Sequence, residues 1–285
     1  MTMSLDARLD DVEGLIRRQP AVAGHRWTLF QLLCVTEQWE RAIQQLQVFA
    51  QLDPQHAQAA QAYRDLIRAE RWRAKVLGGL AQPGFIVEAP SWVEKLAEAL
   101  RLTAAGQTEA ADSTREAALD QAPLVGGRGT THSFDWIADS DSRLGPVCEI
   151  ITAGRYRWLP FSDIVAWEIR RPAALVDLVW ASCSLTLVDG TKAHGFMPAR
   201  FPVIAHTLHN SAMQDALRLG NTTVWTDIGR TGVVAQGRKT WATSAGDAGL
   251  FELDVCAFAH DANATLAGRV AVIATASRGD LDGTA

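Results

Sequence analysis

The chain has 285 residues, 48% of them hydrophobic and 21% charged, with a formal net charge of −5. That is the composition of a globular protein with substantial cores, long enough for two domains of ordinary size. It offers no apolar run fit to span a membrane, no secretory leader within its acidic first residues Met1–Glu13, and no basic field to attract nucleic acid.

The four cysteines, Cys34, Cys148, Cys183 and Cys256, lie far apart among apolar neighbours. They read as reduced core residues of a cytoplasmic protein, because disulfide frameworks pack cysteines densely into smaller chains. Four prolines, Pro20, Pro54, Pro90 and Pro123, punctuate the first half at spacings of 34, 36 and 33 residues. The stretches between them read as pairs of amphipathic helices, and the period is that of tetratricopeptide-type (TPR-like) hairpins.

Before Pro20 there is room for one helix, Leu5–Arg18. Either it caps the stack with a polar outer face or the true start of the chain lies upstream. From Arg26, the residues Trp27, Phe30, Leu33 and Cys34 recur on one helical face. Thr36-Glu37-Gln38 breaks the pattern, and a second helix follows with Trp39, Ala42, Ile43, Leu46 and Phe49 on one side. Asp53-Pro54 ends it, since a residue before proline disfavours helical geometry.

Gln55–Leu77 reads as one long helix with Ala59, Tyr63, Leu66, Ile67 and Trp72 spaced for burial. Its other face carries Arg64, Arg68, Arg71, Arg73 and Lys75, either a solvated face or a cationic rim for an acidic partner segment. Gly78-Gly79 stops the helix, and Ala81–Pro90 reads as a loop. Ser91–Pro123 then repeats the Arg26–Pro54 scheme, with Gly106 at the place of Glu37, Ala111 at that of Ala42 and Ala118 at that of Phe49. Ser91 is expected to be the N-cap of its first helix, with Glu94 completing a capping box. Stacked hairpins bury their apolar faces on one another and present a groove, so this half points to binding rather than catalysis. The residues expected to line such a groove are Arg26, Gln31 and the Arg64/Arg68 face.

From Gly126 the texture changes. Gly126–Thr130 reads as a flexible linker. Val147–Pro160 reads as a hairpin turning at Ala153-Gly154, with Tyr156 and Trp158 on one face and Arg155 and Arg157 on the other. Ile164–Ile169 is a strand. Leu185–Val188 and the residues from Thr191 onward form a hairpin across Asp189-Gly190, a pair suited to a type I′ turn. Asn210 or Ser211 caps a helix that runs through Leu219 and ends at Gly220. Short strands near Val224, Val233 and Leu250 close the unit, and the apolar stretch Val270–Ala276 is a further candidate strand. The expected fold is α+β: a TPR-like helical repeat over 1–125, a mainly antiparallel β-rich α+β domain over 126–256, and a tail over 257–285 expected to be partly disordered.

The most site-like segment is FDWIADSDSRLGP, Phe134–Pro146. Asp135, Asp139 and Asp141 lack the alternate ligands, glycine and distal glutamate of a calcium loop. One reading has Asp139 and Asp141 bonding turn amides while Arg143 pairs with a carboxylate at the junction of the two halves. A second makes Asp139, Asp141 and Arg143 a partner-contact surface. A third is a metal-dependent hydrolase or transferase using Asp135, Asp139, Asp141 and Arg143. His206 and His209 are the one close histidine pair, without the further ligands a zinc site needs. No phosphate loop follows Gly126–Thr131, and no nucleophile elbow occurs. No cofactor, metal or enzyme activity is therefore expected.

Several longer segments carry a resemblance. They are RWTLFQLLCVTEQWERAIQQLQVFAQLDP (Arg26–Pro54), YRDLIRAERWR (Tyr63–Arg73), FDWIADSDSRLGPVCEIITAGRYRWLPFSDI (Phe134–Ile164), DLVW (Asp177–Trp180), GFMPARFP (Gly195–Pro202) and DALRLGNTTVW (Asp215–Trp225). In order and extent they resemble the ImpE/TagJ family of type VI secretion system accessory proteins, over most of residues 26–255. The resemblance implies a cytoplasmic, non-enzymatic adaptor. Its implied partner is an N-terminal helix of the small sheath subunit TssB, with an influence on how the ClpV unfoldase handles contracted sheath. A groove that receives an amphipathic helix is a recurrent recognition mode.

Overall fold

Helical periodicity governs the chain up to residue 125. The computed structural model describes residues 3–203 and 210–259. It builds the first stretch from α1 (Leu5–Arg18), α2 (Ala23–Val35), α3 (Trp39–Leu52), α4 (Ala57–Leu77), α5 (Ser91–Ala104) and α6 (Thr108–Leu119). The α2–α3 and α5–α6 hairpins turn in the same way. Glu37 and Gly106 both hold positive φ, 61° and 72°. The next amide reaches back five residues in each, Gln38 N–H to Leu33 O at 2.8 Å and Gln107 N–H to Leu102 O at 2.9 Å. This closure satisfies carbonyls that a helix end leaves bare. Ala42 and Ala111 are both buried where the paired helices approach.

Two helical details differ from expectation. Ser91 is the first residue of α5 rather than its cap; Pro90 holds the cap position at φ −67° with no side-chain hydrogen bond. On α4 the buried set is Ala60, Leu66, Ile67, Ala69, Arg73, Val76 and Leu77, whereas Ala59 is exposed and Trp72 is 45% exposed. Arg73 leaves the solvated face because Glu149, 76 residues ahead and outside the reach of helical periodicity, joins the local Glu70 as its carboxylate partner.

The strands are β1 (Gly84–Phe85), β2 (Gly127–Gly129), β3 (Ser133–Phe134), β4 (Ile137–Asp139), β5 (Val147–Thr152), β6 (Arg155–Pro160), β7 (Ile164–Ile169), β8 (Trp180–Leu187), β9 (Lys192–Pro198) and β10 (Arg200–Phe201). After α7 (Ser211–Arg218) come β11 (Thr223–Ile228), β12 (Gly232–Arg238), β13 (Thr240–Thr243), β14 (Ala248–Gly249) and β15 (Val255–Phe258). A nine-stranded sheet runs β1-β6-β5-β9-β8-β7-β15-β2-β3, and two three-stranded sheets run β10-β12-β11 and β14-β13-β4. Only the β1–β6 pairing is parallel among the described strands. The architecture is α+β.

At Ala153-Gly154 both residues hold positive φ, 49° and 68°, as a type I′ hairpin requires. Asp189-Gly190 turns differently, because Gly190 alone is left-handed at φ 82°. Its N–H bonds Leu187 O, and Leu187 N–H bonds Thr191 O, both at 2.9 Å, giving a longer loop with a glycine bulge. Gly126–Thr130 is no free linker: β2 lies between β15 and β3. Its glycines serve close approach, since a Cβ on Gly127 would meet the Phe134 ring at 2.8 Å and one on Gly129 would meet Leu253 at 2.8 Å. β15 carries the sheet to Phe258, past residue 257 where the tail was expected to begin. Asn210 caps α7 as expected, its Oδ1 accepting from Met213 N–H at 2.7 Å. Val270–Ala276, His206 and His209 lie outside the described residues.

The hydrophobic core crosses residue 125. One cluster joins α1–α6 to Leu144, Val147, Tyr156, Trp158, Val179 and Trp180. Trp180 stacks near Trp39 and Tyr63, with ring centroids 5.8 Å and 6.4 Å away. A second cluster lies under the large sheet around Phe161, Trp167, Trp241 and Phe258. All four cysteines are buried and free, and burial pushes the Cys183 and Cys256 thiols up to about 12. No helix among the described residues is long and apolar enough to cross a membrane.

Candidate functional site

The first helix of the α2–α3 hairpin does not face an open groove. Gln31 is 9% exposed, and its Oε1 accepts from the backbone N–H of Val176, in the single helical turn Leu175–Leu178, at 3.3 Å. Arg200 enters from β10 and donates to the carbonyls of Val35 at 2.6 Å, Cys34 at 3.0 Å and Arg218 at 2.6 Å. Trp180 donates from Nε1 to Glu70 at 3.1 Å. The chain's own sheet half therefore occupies the surface that α2 offers. Gln31 is withdrawn from partner contact, and Arg26 is half-buried with Nη1 donating to Gln45 Oε1 at 3.0 Å.

Behind that surface sits a buried charge cluster. Arg73 grips Glu149 with two hydrogen bonds, Nε to Oε1 at 2.6 Å and Nη2 to Oε2 at 2.9 Å. Lys239 donates to Glu149 Oε2 at 2.6 Å and also pairs with Asp139. Tyr156 donates its hydroxyl to Glu149 at 2.6 Å and receives Trp158 Nε1–H at 2.7 Å. Burial acts to raise the Glu149 carboxyl, but Arg73 and Lys239 together hold it well below the ordinary carboxylate range. Asp139 goes the other way: burial pushes it up to about 7 against the pull of Lys239.

The acidic segment belongs to this cluster. Asp139 Oδ1 accepts the Asp141 amide at 2.9 Å, and Asp141 accepts the Arg143 and Ala235 amides at 3.0 and 3.1 Å. Arg143 spans Asp141 from its side chain, with Nη2 to Oδ2 at 2.6 Å. Asp139 and Asp141 are 3% and 0% exposed. Burial thus removes both from a partner-contact surface, and Arg143 is spent on Asp141 beside them. Asp135 stays outside the group, exposed, with its amide donating to Ser244 Oγ at 2.7 Å. No three His, Cys, Asp or Glu side chains among the described residues gather as metal ligands.

Glu149, Lys239 and Arg200 were not singled out by sequence reasoning. A signal exists for the first: one carboxylate in the otherwise apolar strand segment Val147–Ile151 is rarely tolerated without a buried partner.

What remains open is the outer flank of α4. Arg64 is half-buried and donates to Gln61 at 3.3 Å; Arg68 is exposed and pairs with Asp65 at 2.8 Å. Arg71 pairs with Glu40, and Lys75 Nζ sits 5.9 Å from the Trp72 ring centroid. Trp72 donates from Nε1 to Gln82 O at 3.0 Å, which holds the segment after α4 against the helix. Beside it lies a cleft of about 340 Å³ whose walls include Arg68, Trp72, Pro83, Arg155, Tyr156 and Arg157. Where the turn meets α4, Gly154 is so close to Asp65 that a Cβ would stand 3.2 Å from that side chain.

The chain's relatives agree with this architecture. The family model described as "ImpE protein" matches residues 131–257. The chain is 40% identical over 249 residues to the "Type VI secretion system accessory component TagJ" of Pseudomonas aeruginosa, covering 87% of this chain and 85% of that one. The fold is shared with a crystal structure of a protein from Vibrio parahaemolyticus at TM-score 0.80 and 22% identity, over 90% of this chain and 94% of that one. At 40% identity over 87% of its length, the chain belongs to the ImpE/TagJ family of type VI secretion accessory proteins.

Proposed function

We propose that this protein is a non-enzymatic adaptor of the type VI secretion machine, acting in the cytoplasm. It binds an N-terminal helix of the small sheath subunit TssB and so modulates how the ClpV unfoldase handles contracted sheath. The observation that carries this reading is a division of surfaces. The acidic segment that was the best candidate for chemistry is consumed by internal partners. The α4 flank with Arg64 and Arg68, by contrast, stays open to solvent beside an exposed tryptophan. The relative's name, an accessory component of that system, supports the same class of role.

Calorimetric titration of the full-length chain with a synthetic N-terminal helix of its cognate small sheath subunit tests the reading. Micromolar or tighter binding is expected. No heat, together with failure to capture assembled sheath in a pull-down, overturns it.

A further inference from the structure

We infer that the cleft between α4 and the β5–β6 hairpin is the docking site, and that its occupant is an acidic amphipathic helix inserting one apolar side chain beside Trp72. Three observations converge there. Trp72 is left 45% exposed, and Leu80, two residues before its acceptor Gln82, is 79% exposed. Large aromatic side chains at the centre of a small cleft are the residues that dominate binding energy.

The rim is cationic and only part of its donor capacity is used, Arg68 pairing with Asp65 and Arg157 donating from Nη1 to Phe85 O. Arg68, Arg155 and Arg157 border the cleft, and Lys75 stands over the Trp72 ring. Asp65, the carboxylate nearest at hand, is engaged by Arg68. Arg155 and Arg157 make no ion pair among the described residues, and the shielded Nε–H of Arg157 has no hydrogen-bond partner among them. Such guanidinium groups, half out of water beside an aromatic ring, favour carboxylates held at fixed geometry.

Spacing selects a helix as occupant. Arg64, Arg68, Arg71 and Lys75 follow one another at steps of four, three and four along α4. A stripe of that period is matched by carboxylates at i, i+4, i+7 and i+11 of a second helix lying alongside. The apolar centre distinguishes this surface from one built for phosphates alone. The partner's identity rests on the adaptor reading; the chemistry of the site rests on the cleft itself.

The test uses full-length protein labelled with 5-fluorotryptophan, in which the Trp72 resonance is assigned by its loss in Trp72→Phe. Four probes are titrated: a synthetic amphipathic peptide of about 15 residues with glutamates at helical spacing and one leucine, its glutamine counterpart, the sheath-subunit peptide and a single-stranded oligonucleotide. The acidic and sheath peptides are expected to shift the Trp72 resonance and leave those of the buried tryptophans in place. Arg68→Glu with Arg155→Glu is expected to weaken both at least about tenfold, and the glutamine peptide to bind as weakly as the variant. Sheath-peptide binding that leaves Trp72 unmoved overturns the site and spares the adaptor reading. A Trp72 shift with the acidic peptide alone, and calorimetric silence from the sheath peptide, supports the site and sinks the adaptor reading. A shift by a single-stranded oligonucleotide equal to that by the acidic peptide overturns the assignment to a peptide.

Discussion

Arg73 on α4 and Glu149 on β5 meet in a two-bond, fork-to-fork contact at 2.6 and 2.9 Å, with both side chains at most 1% exposed. The helical and sheet halves are joined through this pair, and Glu149 also serves Lys239 and Tyr156. A buried ion pair is no great source of net stability, because desolvation offsets most of its attraction. Removing one partner is another matter. Glu149→Leu should cost about 3–5 kcal/mol, because it takes a shared carboxylate from two buried cations and leaves Arg73 only Glu70 and Lys239 only Asp139. Arg73→Met combined with Glu149→Leu should cost less than the sum of the single changes. Urea unfolding of the four proteins measures the coupling, and strict additivity would refute it.

Arg200 makes the second link. Its guanidinium closes the end of α2 by donating to the Cys34 and Val35 carbonyls, groups that a helix terminus leaves unpaired. Burial lowers its pKa, and the Glu37 carboxylate at 3.4 Å offsets that only in part. Arg200→Met should leave the Val35 carbonyl without its buried donor, at about 1–3 kcal/mol, while the Cys34 carbonyl keeps the Glu37 N–H at 3.2 Å. Hydrogen exchange checks it: the Thr36 and Gln38 amides, bonded to Leu32 and Leu33, should exchange faster in the variant, while β7 and β8 keep their protection.

The hairpin repeat was legible because its signals are local. Trp39, Ala42, Leu46 and Phe49 recur within one helix, and the equivalence of Glu37 with Gly106 extends to the same backbone geometry. Strands β5, β6 and β7 were legible for the same reason. What failed was anything decided across the halves. Trp72 and Ala59 fit the apolar stripe of α4 as well as Ala60 and Ala69 do, and only the packed sheet half chooses between them. Arg73 looked like one more cation in a basic run until Glu149, 76 positions away, met it. The glycines of β2 signalled flexibility, when their use is to let Phe134 and Leu253 come close. Asp139 and Asp141 were recognised as turn acceptors; their burial, which decides between structure and partner contact, has no local signature.

The β11–β12 hairpin is pinned to α6 by Asp112, with Glu116 pairing Arg230 beside it. Asp112 of α6 accepts the Arg230 amide at 2.9 Å, the Thr231 amide at 3.1 Å and the Thr231 hydroxyl at 2.6 Å. The Thr231 hydroxyl first, and the Arg230 amide with it, hold Asp112 down to about 2. A depressed carboxyl contributes stability above its unfolded pKa and loses it as pH falls through the folded value, so this anchor should weaken between about pH 4 and 2. Asp112→Ala should free the hairpin tip at neutral pH, seen as faster tryptic cleavage after Arg230. Gly229→Ala should do the same, because φ is +67° there and its Cβ would stand 2.7 Å from Asp112 Oδ2.

Asp139 should give the protein an unusual fall in stability from mildly acidic to neutral pH. Burial raises its carboxyl to about 7 although Lys239 is its ion-pair partner, against about 3.9 for a free aspartate. A group raised on folding contributes its stability below the unfolded pKa and loses it as pH climbs through the folded one. Glu149 is shifted in the opposite sense and stays ionised across this range, so it adds no slope between pH 5 and 8. Asp139→Asn keeps an acceptor for the Asp141 amide and removes the titration. The wild-type melting temperature, taken relative to that of Asp139→Asn, should therefore fall by roughly 5–10 °C between pH 5 and pH 8. Parallel melting curves across that range would show that Lys239 holds Asp139 ionised throughout, and the cluster would then be a fully charged clamp rather than one that takes up a proton.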